Sequence, residues 1–112
     1  MHSYAMTLML KDDEEIVERY KEYHQHAWPE VLARLREIGI VEMRIYLLGR
    51  RMFMYMEAIE GFDPETDFPK LNEVPRYREW DDLMRMLQER APEAKPSDWW
   101  APMEEVFDLS AQ

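Results

Sequence analysis

Residues 41–60 read VEMRIYLLGRRMFMYMEAIE, with side chains that alternate in character on both sides of a glycine. This alternation predicts two strands, Val41–Leu48 and Arg51–Glu60, and the short Gly49-Arg50 connection predicts that they pair as an antiparallel hairpin. The second strand carries bulky side chains on both of its faces. One layer of helices covers only one face of a sheet, so the other face needs a further layer, which a second copy of the sheet would supply. The hairpin therefore predicts a homodimer.

The segments on either side of the hairpin complete a recognisable order of elements. They are a strand at 3–10, a helix at 13–38 that breaks at Trp28-Pro29, a broken helical region at 64–71 and 75–88, and a last strand at 103–109. The break is expected because a proline disfavours helical geometry at the residue before it. The order βαββαβ predicts an α+β, ferredoxin-like fold, in which a four-stranded antiparallel sheet carries its helices on one face.

Composition narrows the function classes. The chain has 112 residues, which is the size of one domain, 1–112. Its formal charge of −10 makes nucleic acid an unexpected partner. The absence of cysteine excludes disulfides, zinc–thiolate sites and a thiol nucleophile. No apolar run approaches the roughly 18 residues of a membrane span, and no signal peptide is evident, so we expect a cytoplasmic protein without a membrane partner.

The stretch YKEYHQHAWPE at 20–30 holds the first candidate site. On a helix, Tyr20, His24 and Trp28 share one face. The imidazole of His24 can accept and donate a proton near neutral pH without a cofactor, although a helix histidine can also be purely structural. His26 points away from His24 and the two make a poor chelating pair, so we expect no metal and no cofactor.

The second candidate site is the helix around Trp80 and Asp81. An indole face can stack on the C–H face of a sugar, while a carboxylate accepts protons from its hydroxyls. The hydroxyl of Tyr20 could donate a hydrogen bond to the same ligand. The alternative for both aromatic residues is a place in the core.

Four motifs together resemble the L-rhamnose mutarotase family over essentially the whole chain. They are Tyr20-x-x-x-His24-x-x-x-Trp28-Pro29-Glu30, Ile45-Tyr46-Leu47, Glu79-Trp80-Asp81-Asp82-Leu83-Met84 and Glu105-Val106-Phe107. The resemblance implies a cofactor-independent dimeric α+β barrel that interconverts the α and β anomers of a 6-deoxy sugar.

The resemblance also assigns the site by position. It implies that His24 is the catalytic proton donor and that Tyr20 contacts the sugar. A second sugar-contacting tyrosine of the family falls on Met43, which has no hydroxyl, and a Trp-Trp pair falls on Trp80 and Asp81. Two contacts therefore differ from the family pattern. Because side chains that hydrogen-bond the sugar hydroxyls largely determine which sugar is bound, the monosaccharide could be L-rhamnose or L-fucose.

Two functions from other classes stay open on the residues alone. Small dimeric α+β barrels with histidine and tryptophan in the pocket also include cofactor-independent oxygenases. A non-catalytic sugar-binding module would bind the monosaccharide without accelerating anomer exchange. The resemblance ranks both below an aldose mutarotase, an isomerase of carbohydrate metabolism.

Overall fold

The computed structural model describes residues 1–112. In chain order its elements are β1 (His2–Leu10), α1 (Glu14–Gln25), α2 (Pro29–Glu37), β2 (Ile40–Leu48), β3 (Arg51–Ala58), α3 (Pro64–Asp67), a 3₁₀ helix (Phe68–Glu73), α4 (Pro75–Leu87), β4 (Gln88–Glu89), β5 (Ala101–Pro102) and a second 3₁₀ helix (Leu109–Ala111). The sheet is antiparallel in the order β2-β3-β1, and both β4 and β5 pair with the outer edge of β1. None of the helices is long and apolar enough to cross a membrane.

This architecture confirms the predicted α+β, ferredoxin-like fold and the β2–β3 hairpin. The predicted helix break is also present, since α1 ends at Gln25 and α2 begins at Pro29. Trp28 between them has extended backbone (φ −66°, ψ 132°), as the residue before a proline prefers. Gly39, just after α2, has φ +107°, a value that favours glycine, and a Cβ there would lie 2.7 Å from the Ile59 side chain.

The predicted last strand at 103–109 is wrong. In the C-terminal segment only Ala101–Pro102 pairs with β1, and residues 103–108 form no regular structure. The outer edge of β1 is shared, because Gln88–Glu89 already occupies one part of it. Pro102 has no N–H to donate to the ladder, and the pairing ends with one bond from the Met103 N–H to the Ala5 carbonyl oxygen (2.8 Å). The apolar side chains at 106–109 are therefore left exposed.

The core lies between the sheet and the helices and has two clusters. The first cluster comprises Leu8, Leu10, Tyr20, Val31, Met52, Trp80, Met84 and Leu87. The second cluster comprises Met6, Ile40, Met54, Met56, Ala58 and Phe62. The even-numbered positions of β1 and β3 thus face the helices, as strand alternation requires.

The other face of the sheet is not covered by any helix. Phe53, on this face of β3, is 37% exposed, and Tyr46 on β2 stacks on it with ring centroids 6.0 Å apart. The prediction that one helix layer leaves a bulky sheet face uncovered is confirmed. We call this surface the open face.

Candidate active site

Helix α1 presents Tyr20 and His24 toward the core. The Asp13 side chain accepts hydrogen bonds from the backbone N–H groups of Glu15 and Ile16, which fixes where the helix begins. Seven residues later Tyr20 is buried, and one turn further the His24 ring stacks on the Tyr20 ring, with centroids 4.1 Å apart and planes inclined by 25°. The predicted shared face of Tyr20 and His24 is therefore present in the structure.

The hydrogen bond of His24 determines its tautomer. Its Nδ1 lies 2.9 Å from the backbone carbonyl oxygen of Tyr20. A carbonyl oxygen can only accept, so Nδ1 carries the proton and Nε2 of the neutral ring has the free lone pair. Burial lowers the pKa of His24, and the bond to the Tyr20 carbonyl opposes this shift in part. The resting ring is therefore neutral near pH 7, with Nε2 available as a base.

Trp80 on α4 is the centre of an aromatic cluster beside His24. Three rings meet it edge to face, with centroid distances of 5.3 Å for His24, 5.2 Å for Trp28 and 6.2 Å for Tyr23. The Arg76 guanidinium covers Trp28 at 3.6 Å from the ring centroid. Trp80 is itself 6% exposed. These contacts cover nearly all of the indole.

Asp81 follows Trp80 and is half-buried. Its carboxylate pairs with Arg85 at 3.1 Å, one turn along α4, and lies near the Asn72 side chain. Burial raises the pKa of Asp81 above its ordinary value, Arg85 and Asn72 act in the opposite direction, and Asp82 adds to the rise. The carboxylate is thus partly desolvated while still paired with Arg85.

Two polar residues near Tyr20 did not emerge from the sequence. Tyr77 lies one turn before Trp80 and Asp81 on α4 and packs against the first cluster. Gln88, at the start of β4, is 7% exposed, and its side chain lies near the Tyr20 hydroxyl. Burial raises the pKa of both tyrosines. Tyr77 could have been identified from the sequence, because it lies one helical turn before Trp80 and Asp81. Gln88 could not, because its approach to Tyr20 depends on tertiary packing.

Met43 lies apart from this group. It is opposite Met56 in the β2–β3 ladder and packs against the second cluster, whereas Tyr20 and Trp80 belong to the first. The structure therefore brings Tyr20, His24, Trp80 and Asp81 to one region between α1 and α4. Contact of Met43 with a sugar stays a prediction, as do the roles of the other four residues.

A concavity of about 590 Å³ lies on the open face, lined by Arg44, Tyr46, Phe53, Tyr55 and Glu57. It is on the opposite side of the sheet from His24, on the face that no helix covers. No three His, Asp or Glu side chains lie close enough together to hold a metal ion.

Comparison with known proteins identifies the family. A family model described as L-rhamnose mutarotase matches residues 3–109. The chain belongs to the L-rhamnose mutarotase family. Members of this family are mutarotases, a class of isomerases, so the resemblance found in the sequence and the assignment as an isomerase are both confirmed.

Individual members of the family and related structures extend this result. A UPF0734 protein of Dictyostelium discoideum is 48% identical over 111 residues, covering 96% of this chain and 89% of that protein. The L-fucose mutarotase of Xanthomonas campestris pv. campestris is 32% identical, with 98% and 90% of the two chains covered. A crystal structure of an L-rhamnose mutarotase from Formosa agariphila superposes with a TM-score of 0.72 over 97% of this chain and 99% of that one; at 22% identity it supports the fold.

Proposed function

We propose that this protein interconverts the α and β anomers of a 6-deoxy-L-hexopyranose, with L-rhamnose as its principal substrate. The observation that carries the proposal is the neutral His24 ring, held by the Tyr20 carbonyl so that Nε2 is the reactive atom. Membership of the family supplies the reaction class. In this proposal His24 is the base, Tyr20 supplies a hydroxyl and Trp80 supplies an indole.

The reaction needs a proton to leave the anomeric hydroxyl and a proton to reach the ring oxygen as the C1–O5 bond breaks. Both oxygens are bonded to the same carbon, so one nitrogen can reach them in turn. Neutral His24 accepts the anomeric proton at Nε2, and the resulting imidazolium donates it to the ring oxygen. The open-chain aldehyde rotates about C1–C2, and the reverse transfers close the ring on its other face. A positioned acid–base group typically contributes about 10²–10⁴-fold to such a step.

The surrounding residues orient the sugar in this proposal. The Tyr20 hydroxyl, which lies near Gln88, bonds a sugar hydroxyl. Trp80 packs against the apolar side of the pyranose, and the Asp81 carboxylate accepts a hydrogen bond from a sugar hydroxyl. We assign Met43 an apolar contact only, since its side chain can donate no hydrogen bond. No step requires a cofactor.

L-Fucose is a second candidate substrate because of one specific relative. The 32% identical protein from Xanthomonas campestris is named L-fucose mutarotase and aligns over 98% of this chain. L-Rhamnose and L-fucose differ in the orientation of the hydroxyls at C2 and C4. The side chains that bond those hydroxyls therefore decide between the two sugars.

We also propose that the protein acts as a homodimer, joined through the open face. Tyr46 is 53% exposed and Phe53 37% exposed there, and Val106 and Phe107 in the C-terminal segment are exposed as well. A second copy would cover these apolar groups. We expect neither nucleic acid nor a membrane as partner, since the charge of −10 repels both phosphate backbones and anionic lipid. A free monosaccharide substrate fits a cytoplasmic location.

Saturation-transfer NMR on equilibrated L-rhamnose and L-fucose tests the function directly, because it reports anomer exchange without net reaction. The wild-type protein should accelerate exchange, and His24→Ala should abolish the acceleration while leaving the melting temperature near that of the wild type. The sugar with the larger kcat/KM identifies the principal substrate.

His26→Ala is the matched control, because His26 is an exposed histidine two residues further along the chain. It should exchange anomers as fast as the wild type. Folded wild-type protein that leaves both sugars at their spontaneous rates would overturn the proposal in favour of a binding module. Oxygen consumption with a quinol or anthrone would instead identify an oxygenase.

A further inference from the structure

The Tyr77 hydroxyl is a polar group that the reaction described above does not use. The residue sits at the edge of the first cluster on α4, and its surroundings are mainly apolar. The polar groups that act on it are the Asp81 carboxylate and the Tyr20 hydroxyl. Tyr77 is half-buried, and its hydroxyl forms no hydrogen bond within the protein and is not among the fully buried polar atoms. The hydroxyl is therefore free to donate to a ligand.

The groups next to Tyr77 are complementary to a sugar hydroxyl. Asp81, one turn further along α4, presents a carboxylate that accepts hydrogen bonds. Asn72, which lies near Asp81, has its Oδ1 buried without a hydrogen-bond partner. Tyr77 would donate, and Asp81 and Asn72 would accept. A sugar hydroxyl, which accepts one bond and donates another, satisfies such a set.

We propose that Tyr77 is a specificity-determining residue that donates a hydrogen bond to a ring hydroxyl of the sugar, with Asp81 accepting from the same region of the substrate. This inference rests on the proposed mutarotase function and extends it. Met43, on β2, packs against the second cluster and has no hydroxyl to donate a hydrogen bond. In this proposal the Tyr77 hydroxyl on α4 donates that hydrogen bond instead. Hydroxyl recognition in this chain is therefore concentrated on α1 and α4.

Tyr77→Phe tests this assignment, because it removes only the hydroxyl. The variant should lower kcat/KM for the preferred sugar by about five- to tenfold, which corresponds to one lost hydrogen bond, mainly through a higher KM. Its melting temperature should equal or exceed that of the wild type, since the lost group has no partner in the free protein. A structural hydroxyl would give the opposite pair of results.

Tyr4→Phe is the matched control. The Tyr4 hydroxyl donates to the Phe62 carbonyl oxygen at 3.4 Å in the second cluster, away from His24. Its removal should lower the melting temperature slightly and leave anomer exchange unchanged. The same chemical deletion then separates an effect on the substrate from an effect on the fold.

A series of deoxy sugars identifies the hydroxyl that Tyr77 contacts. Analogues of the preferred sugar that lack the hydroxyl at C2, C3 or C4 are measured with wild type and Tyr77→Phe, each rate taken relative to spontaneous exchange. The loss caused by the substitution should disappear for one analogue and persist for the others. An active wild type with equal kcat/KM in Tyr77→Phe, or an equal loss for all three analogues, overturns this inference alone. An inactive wild type overturns the proposed function instead.

Discussion

The Nδ1 atom of His24 lies 2.9 Å from the backbone carbonyl oxygen of Tyr20, and the two side-chain rings stack with their centroids 4.1 Å apart. The hydrogen bond fixes the tautomer and the stacking fixes the plane of the imidazole. Both come from the same residue, one helical turn away, so the helix itself orients the reactive nitrogen. The base does not depend on a loop for its position.

This arrangement predicts the pH dependence of anomer exchange. Burial lowers the pKa of His24 below its ordinary value of 6.5, so Nε2 is unprotonated at neutral pH. We expect kcat/KM to be constant near pH 7 and above, and to fall on acidification only below pH 6.5, where Nε2 becomes protonated. Saturation-transfer measurements across this range give the apparent pKa of the free enzyme. A profile that instead declines as pH rises would show that the imidazolium is the reactive form in the free enzyme.

Much of the fold follows from local patterns. The alternation through residues 41–60 is strong enough to define the β2–β3 hairpin and to show that one sheet face would be left uncovered. The proline at 29 places the break between α1 and α2 for a steric reason that acts on one residue. The four-residue spacing of Tyr20 and His24 places them together because residues four apart lie on one face of a helix.

Features that depend on tertiary packing could not be predicted from the sequence. Residues 103–109 have the apolar content of a strand, yet their ladder with β1 ends at Pro102 and the Met103 N–H, and the sequence does not reveal where a ladder stops. Gln88 reaches Tyr20 only because the end of α4 docks beside α1. Met43 was assigned to the sugar site from its position in the family's sequence pattern. Which core cluster Met43 packs against depends instead on how the helices cover the sheet.

Asp81→Asn should stabilise the fold at neutral pH and impair catalysis. Burial raises the pKa of Asp81 in the folded state, so ionisation costs more there than in the unfolded chain. Below the ordinary value of 3.8 the carboxyl is neutral in both states, and the penalty appears as pH rises through the folded-state pKa. The near-isosteric amide avoids it. Urea unfolding at pH 7 should therefore show a higher free energy of unfolding for the variant, with the difference vanishing below about pH 4.

The same substitution should lower kcat/KM by about 10- to 100-fold, because a hydrogen bond to a charged acceptor contributes roughly 1.5–3 kcal/mol. Asp82→Asn is the control, since Asp82 is exposed one residue further along α4. It should retain wild-type exchange rates. Equal loss of activity in both variants would assign the effect to general charge rather than to contact between Asp81 and the sugar.

The open face predicts a dimer that a single charge should disrupt. Phe53 stacks with Tyr46 there, and an aspartate at position 53 would have to be buried without a partner in a face-to-face pair. Phe53→Asp should raise the dimer dissociation constant by at least about 30-fold, the consequence of losing roughly 2 kcal/mol at a central aromatic contact. Met86→Asp is the control, because Met86 is 67% exposed on α4, outside the open face. Sedimentation equilibrium should then find a dimer for wild type and Met86→Asp and a shift to monomer for Phe53→Asp, whereas a wild type that stays monomeric at high concentration would leave the open face to some other partner.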